Sequence, residues 1–238
     1  MATGARRGMR LVLVAWAAFC AGPLLAYLGV VPAMVGFLVF ALGGALGLVA
    51  LVAGGVALIR GRAAVPGLVA AVALTTAFVA LAFPGRHYPR INDITTDPAN
   101  PPQFVFALTL PANQGRDMAY PGTEFAALQR SAYPDLGPLV VGLSPDEAFT
   151  RVEAAARKMP TWEVSRVDPA SHRLEAVATS GIFRFQDDIV VEVRRRDGGS
   201  VIQMRSKSRD GKGDLGANAK RIQEFFGQLR WTGPASGS

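Results

Sequence analysis

The chain has 238 residues, with 25 Lys+Arg against 18 Asp+Glu, two His and one Cys, and half of it is hydrophobic. So apolar a composition excludes a disordered chain. A single cysteine excludes an intrachain disulfide framework, and with only two histidines it leaves a zinc site short of its three or four nitrogen and sulfur ligands.

The averages conceal two unlike pieces. Every acidic residue lies beyond residue 85, whereas the 49 residues from Leu11 to Ile59 carry no charge. Three apolar stretches come first, at about 11–31, 33–59 and 66–83. Each approaches the ~17–25 residues that cross ~30 Å of hydrocarbon. Pro23 should kink the first, which neighbouring helices in a bilayer tolerate. A cleaved signal peptide is the competing reading, with Arg6, Arg7 and Arg10 as its basic end, but the run is too long and two more follow. Cys20 follows bulky Phe19, which a lipoprotein signal does not allow, so it reads as a small apolar helix residue.

Arginines set the expected orientation. Arg6, Arg7 and Arg10 precede the first span, and Arg60 and Arg62 separate the second from the third. By the positive-inside rule both regions face the cytoplasm, against the weaker pull of Arg86 and Arg90. The expected location is therefore a bacterial inner membrane, with the N-terminus cytoplasmic and the C-terminal part periplasmic. Gly36, Gly43, Gly47, Ala50 and Gly54 form a small-residue stripe on the second span. It serves either packing inside one three-helix bundle or a homodimer through Gly43, Gly47 and Gly54. No span carries Asp, Glu, Lys, Arg or His, which disfavours a pump or coupled transporter. Thr75 and Thr76 can bond their own helix backbone.

Residues 85–104 hold Pro89, Pro98, Pro101 and Pro102, the composition of an extended linker, with Pro84 just before it. Phe104 to Leu108 reads as a short strand or a docking segment, and 124–131 as a short helix. Ser144-Pro145-Asp146-Glu147 is a capping box with proline at the first helical position. With Phe149, Val152, Ala156 and Met159 at helical spacing, it predicts a helix over about 145–158. Alternation then predicts strands around Trp162–Ser165, over Arg173–Ala178, over about 182–194 and over about 200–208. A final helix is predicted over about 214–229, with Asp214 as N-cap and Leu215, Ala219, Ile222, Phe226 and Leu229 as its apolar face. The expected fold is α+β: a three-helix transmembrane bundle (1–84), the linker, and a domain (105–232) with a four-stranded antiparallel sheet and helices on one face, then a flexible tail (233–238).

Four segments resemble the domain-of-unknown-function family 1499: Asn92-Asp-Ile-Thr-Thr-Asp97, Met159-Pro-Thr-Trp-Glu163, Phe185-Gln-Asp-Asp-Ile189 and Arg205-Ser-Lys-Ser-Arg-Asp-Gly-Lys-Gly-Asp-Leu-Gly-Ala-Asn218. The last is the most specific, and the resemblance covers about residues 90–230. It implies a module found attached to membrane segments or exported, and no catalytic roles.

The turn between the last two strands is Asp197-Gly198 or Gly198-Gly199. The first sets Asp188 opposite Lys207 and Asp187 opposite Ser208; the second sets Asp188 opposite Arg209 and Glu192 opposite Arg205. Asp187 falls on the core face, where an unpaired charge is costly. A bulge turns it outward, Ser208 and donors near Gly211 bond it, or a pocket holds it with a raised pKa. The stretch around Arg209, Gly211, Lys212 and Gly213 is either a structural lock or an anion-binding nest. The candidate ligand-binding residues are Asp187, Asp188, Arg205, Ser206, Ser208, Arg209, Asp214 and Asn218.

Nucleic acid is not an expected partner. With the five arginines before residue 63 set aside, 20 basic residues face 18 acidic ones, and Arg194, Arg195 and Arg196 read as a solvated face. No catalytic serine motif, nucleotide loop, cofactor site or metal site is evident; His87 and His172 have no nucleophile beside them. The sequence thus reads as a membrane-anchored envelope module that binds or scaffolds a lipid, a small anion or a partner protein. The alternative is an envelope enzyme with a pocket around Asp187, Arg209 and Asp214.

Overall fold

The computed structural model describes residues 2–61, 65–82, 85 and 87–231. Arg62, Phe83, Pro84, Arg86 and the tail 233–238, all used in the sequence reading, lie outside the described residues. The chain forms two compact units, Met1–His87 with Gly181–Arg184, and Tyr88–Ser180 with Phe185–Ser238.

In the first unit, α1 (Ala2–Tyr27), α2 (Ala33–Ile59) and α3 (Val65–Ala82) are long and apolar enough to cross a membrane. At ~1.5 Å per residue the candidate spans Arg6–Tyr27, Ala33–Ile59 and Val65–Ala82 measure roughly 33, 40 and 27 Å. The protein is an integral-membrane protein by these three helices. Their packing explains the glycine stripe. A Cβ at Gly43 would meet the backbone of Phe19 and lie 2.8 Å from the Ala15 carbonyl of α1. Gly44 lies against Phe78, Gly47 against Leu74 and Gly54 against Leu68, all on α3. The stripe is therefore filled from within the chain. Trp16 Nε1 donates to the Ala70 carbonyl (3.1 Å), so α1 also bonds α3. Thr75, expected to bond its own helix, keeps a buried hydroxyl with no partner among the described residues.

The second unit is an α+β domain, but its sheet has six strands rather than the expected four. They are β1 (Asp93–Thr95), β2 (Leu139–Val141), β3 (Trp162–Asp168), β4 (Arg173–Thr179), β5 (Gln186–Arg196) and β6 (Gly199–Ser208). The order is β1-β6-β5-β4-β3, with β2 also paired to β6. The two unforeseen strands are three residues long, too short to show a period of two. β1 lies inside the segment read as a linker. The β5–β6 turn is Asp197-Gly198, with Asp188 opposite Lys207 and Asp187 opposite Ser208.

Helices α4 (Thr123–Ala132), α5 (Pro145–Ala156) and α6 (Ala217–Trp231) complete the domain. The capping box at Ser144 and Glu147 is formed. On one face of the sheet, Phe149 and Val152 of α5 and Ile222, Phe225 and Phe226 of α6 close over Leu174, Ile189, Val191 and Met204. The other face is covered as well. There Phe104, Ala107 and Met118, from an irregular strap between β1 and α4, pack on Val190. The segment from Phe104 to Leu108 is thus a docking segment with a short 3-10 turn, Ala107–Thr109, and not a strand.

The glycine packing gives a direct test. Gly43→Ala places a methyl against backbone that cannot yield and should cost the bundle ~1–3 kcal/mol. Gly55→Ala, with nothing within 4 Å, should cost nothing. Unfolding of the detergent-solubilised protein by added dodecyl sulfate, followed by circular dichroism, checks both.

Candidate functional site

Side chains alternate along a strand, so Asp187 and Asp188 point to opposite faces of the sheet. The same alternation divides β6: Ser206 and Ser208 face the helices, whereas Arg205 and Lys207 face the strap. The residues marked out by sequence therefore form two polar clusters, one on each side, rather than one site.

On the helix side Asp187 is 4% exposed. It is neither bulged outward nor held by Ser208 and the Gly211 loop. Instead Arg221 of α6 donates to it through Nη2 (2.5 Å) and through Nη1 to Ser206 Oγ (2.9 Å) and Asn218 Oδ1 (2.5 Å). Ser206 Oγ also donates to Asn218 Oδ1 (2.6 Å), and Asn218 Nδ2 donates to Ser208 Oγ (2.9 Å). Asp214 takes the backbone N–H of Gly216 (2.9 Å) and of Asn218 (3.0 Å), supplying acceptors that the start of α6 lacks. Burial raises the Asp214 pKa above the usual carboxylate value, while those two backbone bonds oppose the shift. This is a lock between the last strand and the last helix. The helix N-terminus is occupied by the protein's own carboxylate, and no anion-binding nest forms around it.

On the strap side Arg205 is fully buried. Its Nε and Nη2 bond both oxygens of Asp93 at 2.8 and 2.7 Å. It also donates to the Met118 carbonyl (2.8 Å) and the Pro102 carbonyl (3.3 Å) of the strap. The Phe104 and Tyr120 rings lie 4.8 and 5.6 Å from the guanidinium carbon. Lys207 Nζ adds a second bond to Asp93 at 2.8 Å. Asp188, also fully buried, accepts from Arg209 (2.7 Å) and from Arg116 (3.3 Å). Arg116 reaches the Ser208 carbonyl at 2.8 Å and Arg209 reaches Gln186 Oε1 at 2.5 Å. Glu175 accepts the backbone N–H groups of Val105, Phe106 and Ala107 at 2.9, 2.8 and 2.7 Å, pinning the strap at a second point.

Gln129 of α4 closes the sheet edge at β1. Its Oε1 accepts the Thr95 N–H (3.0 Å) and its Nε2 donates to the Thr95 carbonyl (2.7 Å), standing in for a further strand. Burial, with a contribution from Asp93, pushes the Tyr120 phenol up to about 12. Burial also lifts Tyr133 to about 12, with Asp214 adding to it.

None of the candidate residues lines the cavity of about 270 Å³ between the strap and the β3–β4 edge. Val105, Phe106, Thr109, Arg166, Asp168, Arg173 and Glu175 enclose it. The trio Asp187, Arg209 and Asp214 does not come together either. Arg209 serves Asp188 and Gln186 on the strap side, and Asp187 and Asp214 serve α6. Sequence reasoning missed Arg221, Arg116, Gln129 and Glu175. Arg221 stands three residues after Asn218, on one helical face, which is the signal that would have found it. Arg116, Gln129 and Glu175 act over long separations and leave no local signature. Among the described residues no His, Cys, Asp and Glu group with the makings of a metal site is present.

These features define a membrane-anchored protein whose C-terminal α+β domain is closed around internal polar clusters on both faces of its sheet. Residues 93–229 match the family described as "Protein of unknown function (DUF1499)", and the chain belongs to that family. No curated protein and no solved structure matches the chain.

Two measurements follow. Asp93→Ala strands two buried cations and should cost ~3–5 kcal/mol in chemical unfolding. Exposed Asp117→Ala should leave the midpoint unmoved. In alkaline titration followed by phenolate absorbance, Tyr120→Phe should remove a step near pH 12. Its folded pKa lies above the unfolded value of ~10. The folded state therefore holds the proton longer, and this contribution to stability is lost as pH rises from the unfolded toward the folded pKa.

Proposed function

We propose that this protein is an integral-membrane anchor carrying a non-catalytic binding or scaffolding domain on the periplasmic side of a bacterial inner membrane. The observation that carries this reading is the bonding state of the most specific family segment. Arg205, Ser206, Ser208, Arg209, Asp214 and Asn218 bond Asp93, Asp188, Asn218 and Asp214 and the adjoining backbone, with no cleft opening onto them. A catalytic site keeps an acid, base or nucleophile within reach of substrate. Here those groups are spent on holding the fold, which argues against an enzyme built on Asp187, Arg209 and Asp214.

The partner is then met by the domain's outer surface: an envelope protein, an anionic lipid surface or a small anion. Nucleic acid is not among them. Orientation rests on Arg6, Arg7, Arg10 and Arg60 at the ends of the spans. A homodimer through Gly43, Gly47 and Gly54 loses its support, because α1 and α3 of the same chain fill those positions.

Native mass spectrometry of the gently extracted full-length protein tests the reading of the polar clusters. Arg209→Ala and Asp214→Ala should melt early without changing any bound mass. A defined adduct that vanishes in Arg209→Ala while the melting temperature holds would overturn it. Orientation is tested separately by an alkaline phosphatase fusion at the C-terminus, expected to be active; an inactive fusion paired with a fluorescent cytoplasmic reporter would reverse the topology.

A further inference from the structure

The two edges of the sheet are treated differently. At β1 the backbone of Thr95 is closed by the Gln129 amide, and the edge strands there are three residues long. At the other end β3 is seven residues long and pairs with β4 alone among the described residues. A strand of that length with a free edge is a template for another strand unless something blunts it. Two charged residues on this strand, Glu163 and Arg166, are exposed and make no ion pair among the described residues.

A bulge between Val164 and Arg166 sets the strand's pattern. Trp162, Val164 and Val167 pack toward the helix-side core. The extra residue, Ser165, then leaves Glu163 and Arg166 together on the opposite face, although they are three apart. This gives β3 a symmetry. If two copies of the strand lie antiparallel about a two-fold axis between Val164 and Ser165, Glu163 of each meets Arg166 of the other, and Trp162 meets Val167. Both ion pairs fall on one face and both apolar pairs on the other. Sliding the copies by one residue mismatches the faces. Sliding by two in one direction sets Glu163 against Asp168, a like-charge pair.

We propose that β3 is an interaction surface whose partner is the β3 of a second copy of this chain, in the register that pairs Glu163 with Arg166. The contact is isologous, so it closes at a dimer and leaves no further edge to grow. Its charges specify the register instead of merely guarding the edge. The three spans confine both copies to one membrane, where the tether sets their effective concentration. A short backbone ladder that would be sparsely formed in dilute solution is then populated. The proposal stands apart from the reading of the polar clusters, since β3 contributes nothing to them.

The test uses the full chain in lipid vesicles, with Cys20→Ser as background. Chains carrying Glu163→Cys and chains carrying Arg166→Cys are reconstituted together and oxidised. The mixture is expected to form covalent dimers several-fold more than either variant alone. Glu163→Arg should lower the dimer fraction seen by native mass spectrometry, and adding Arg166→Glu in the same chain should restore it. Three results would each overturn the proposal: monomer under all conditions, single-cysteine chains that cross-link as well as the mixture, or a double reversal that fails to recover the dimer. Both side chains are exposed, so loss of folding does not confuse the outcome.

Discussion

The C-terminal domain depends on one buried ion pair, Arg205 with Asp93. A guanidinium with no solvent exposure must have its charge and its donors met inside the protein, or the fold fails. Arg205 is met by the two oxygens of Asp93, by two strap carbonyls and by two aromatic rings. Each partner comes from a different part of the chain. Asp93 brings in β1, Pro102 and Met118 bring in the two ends of the strap, and Tyr120 leads on to α4. A single side chain on β6 thereby fixes elements that start more than a hundred residues earlier. Its energetic role is a constraint more than a gain: a well-packed apolar pair might be as stable, but it would not demand one arrangement of β1 and strap.

The strap explains why the sheet tolerates charge on its second face. An irregular segment lying over a sheet carries backbone N–H and C=O groups that need partners. Glu175 takes three of those N–H groups and Arg205 takes two of the carbonyls. The charged residues are thus the complement of an irregular backbone, as apolar residues are the complement of helices α5 and α6 on the first face. The burial of Asp93, Glu175, Asp188 and Arg205 follows from that geometry and requires no ligand. Asp214 obeys the same logic at smaller scale, since burial raises its pKa and two backbone N–H groups hold it.

What could be read from the sequence follows from how far each signal reaches along the chain. Helix α5 was legible because its cap, its proline and its apolar spacing all lie within fifteen residues. The long strands β5 and β6 were legible because alternation persists over ten residues or more, and Asp197-Gly198 names their turn. Strands β1 and β2 were not, because three residues show no period and their partner lies far away on β6. The candidate residues were correctly singled out as unusual, but they divide between two faces of the sheet. Adjacent Asp187 and Asp188 look like one feature in sequence and are separated by the thickness of a β-sheet. The missed partners show the same limit: Arg221 shares a helix turn with Asn218 and was accessible, whereas Arg116 meets Asp188 across 72 residues.

The membrane unit reaches the same end by the opposite means. In lipid there is no hydrophobic force between helices, so close approach must supply the attraction. Gly43, Gly44 and Gly47 let α1 and α3 come near enough to α2 for Phe19, Phe78 and Leu74 to fill the space a side chain would take. The domain is specified by buried charges that accept only one set of partners, and the bundle by missing side chains that admit only one set of neighbours. In both, the groups that look most like functional handles in sequence, a glycine zipper and a charged motif, are consumed in defining the fold. A partner must then be recognised by what the fold leaves unsatisfied, and that is the edge of the sheet at β3.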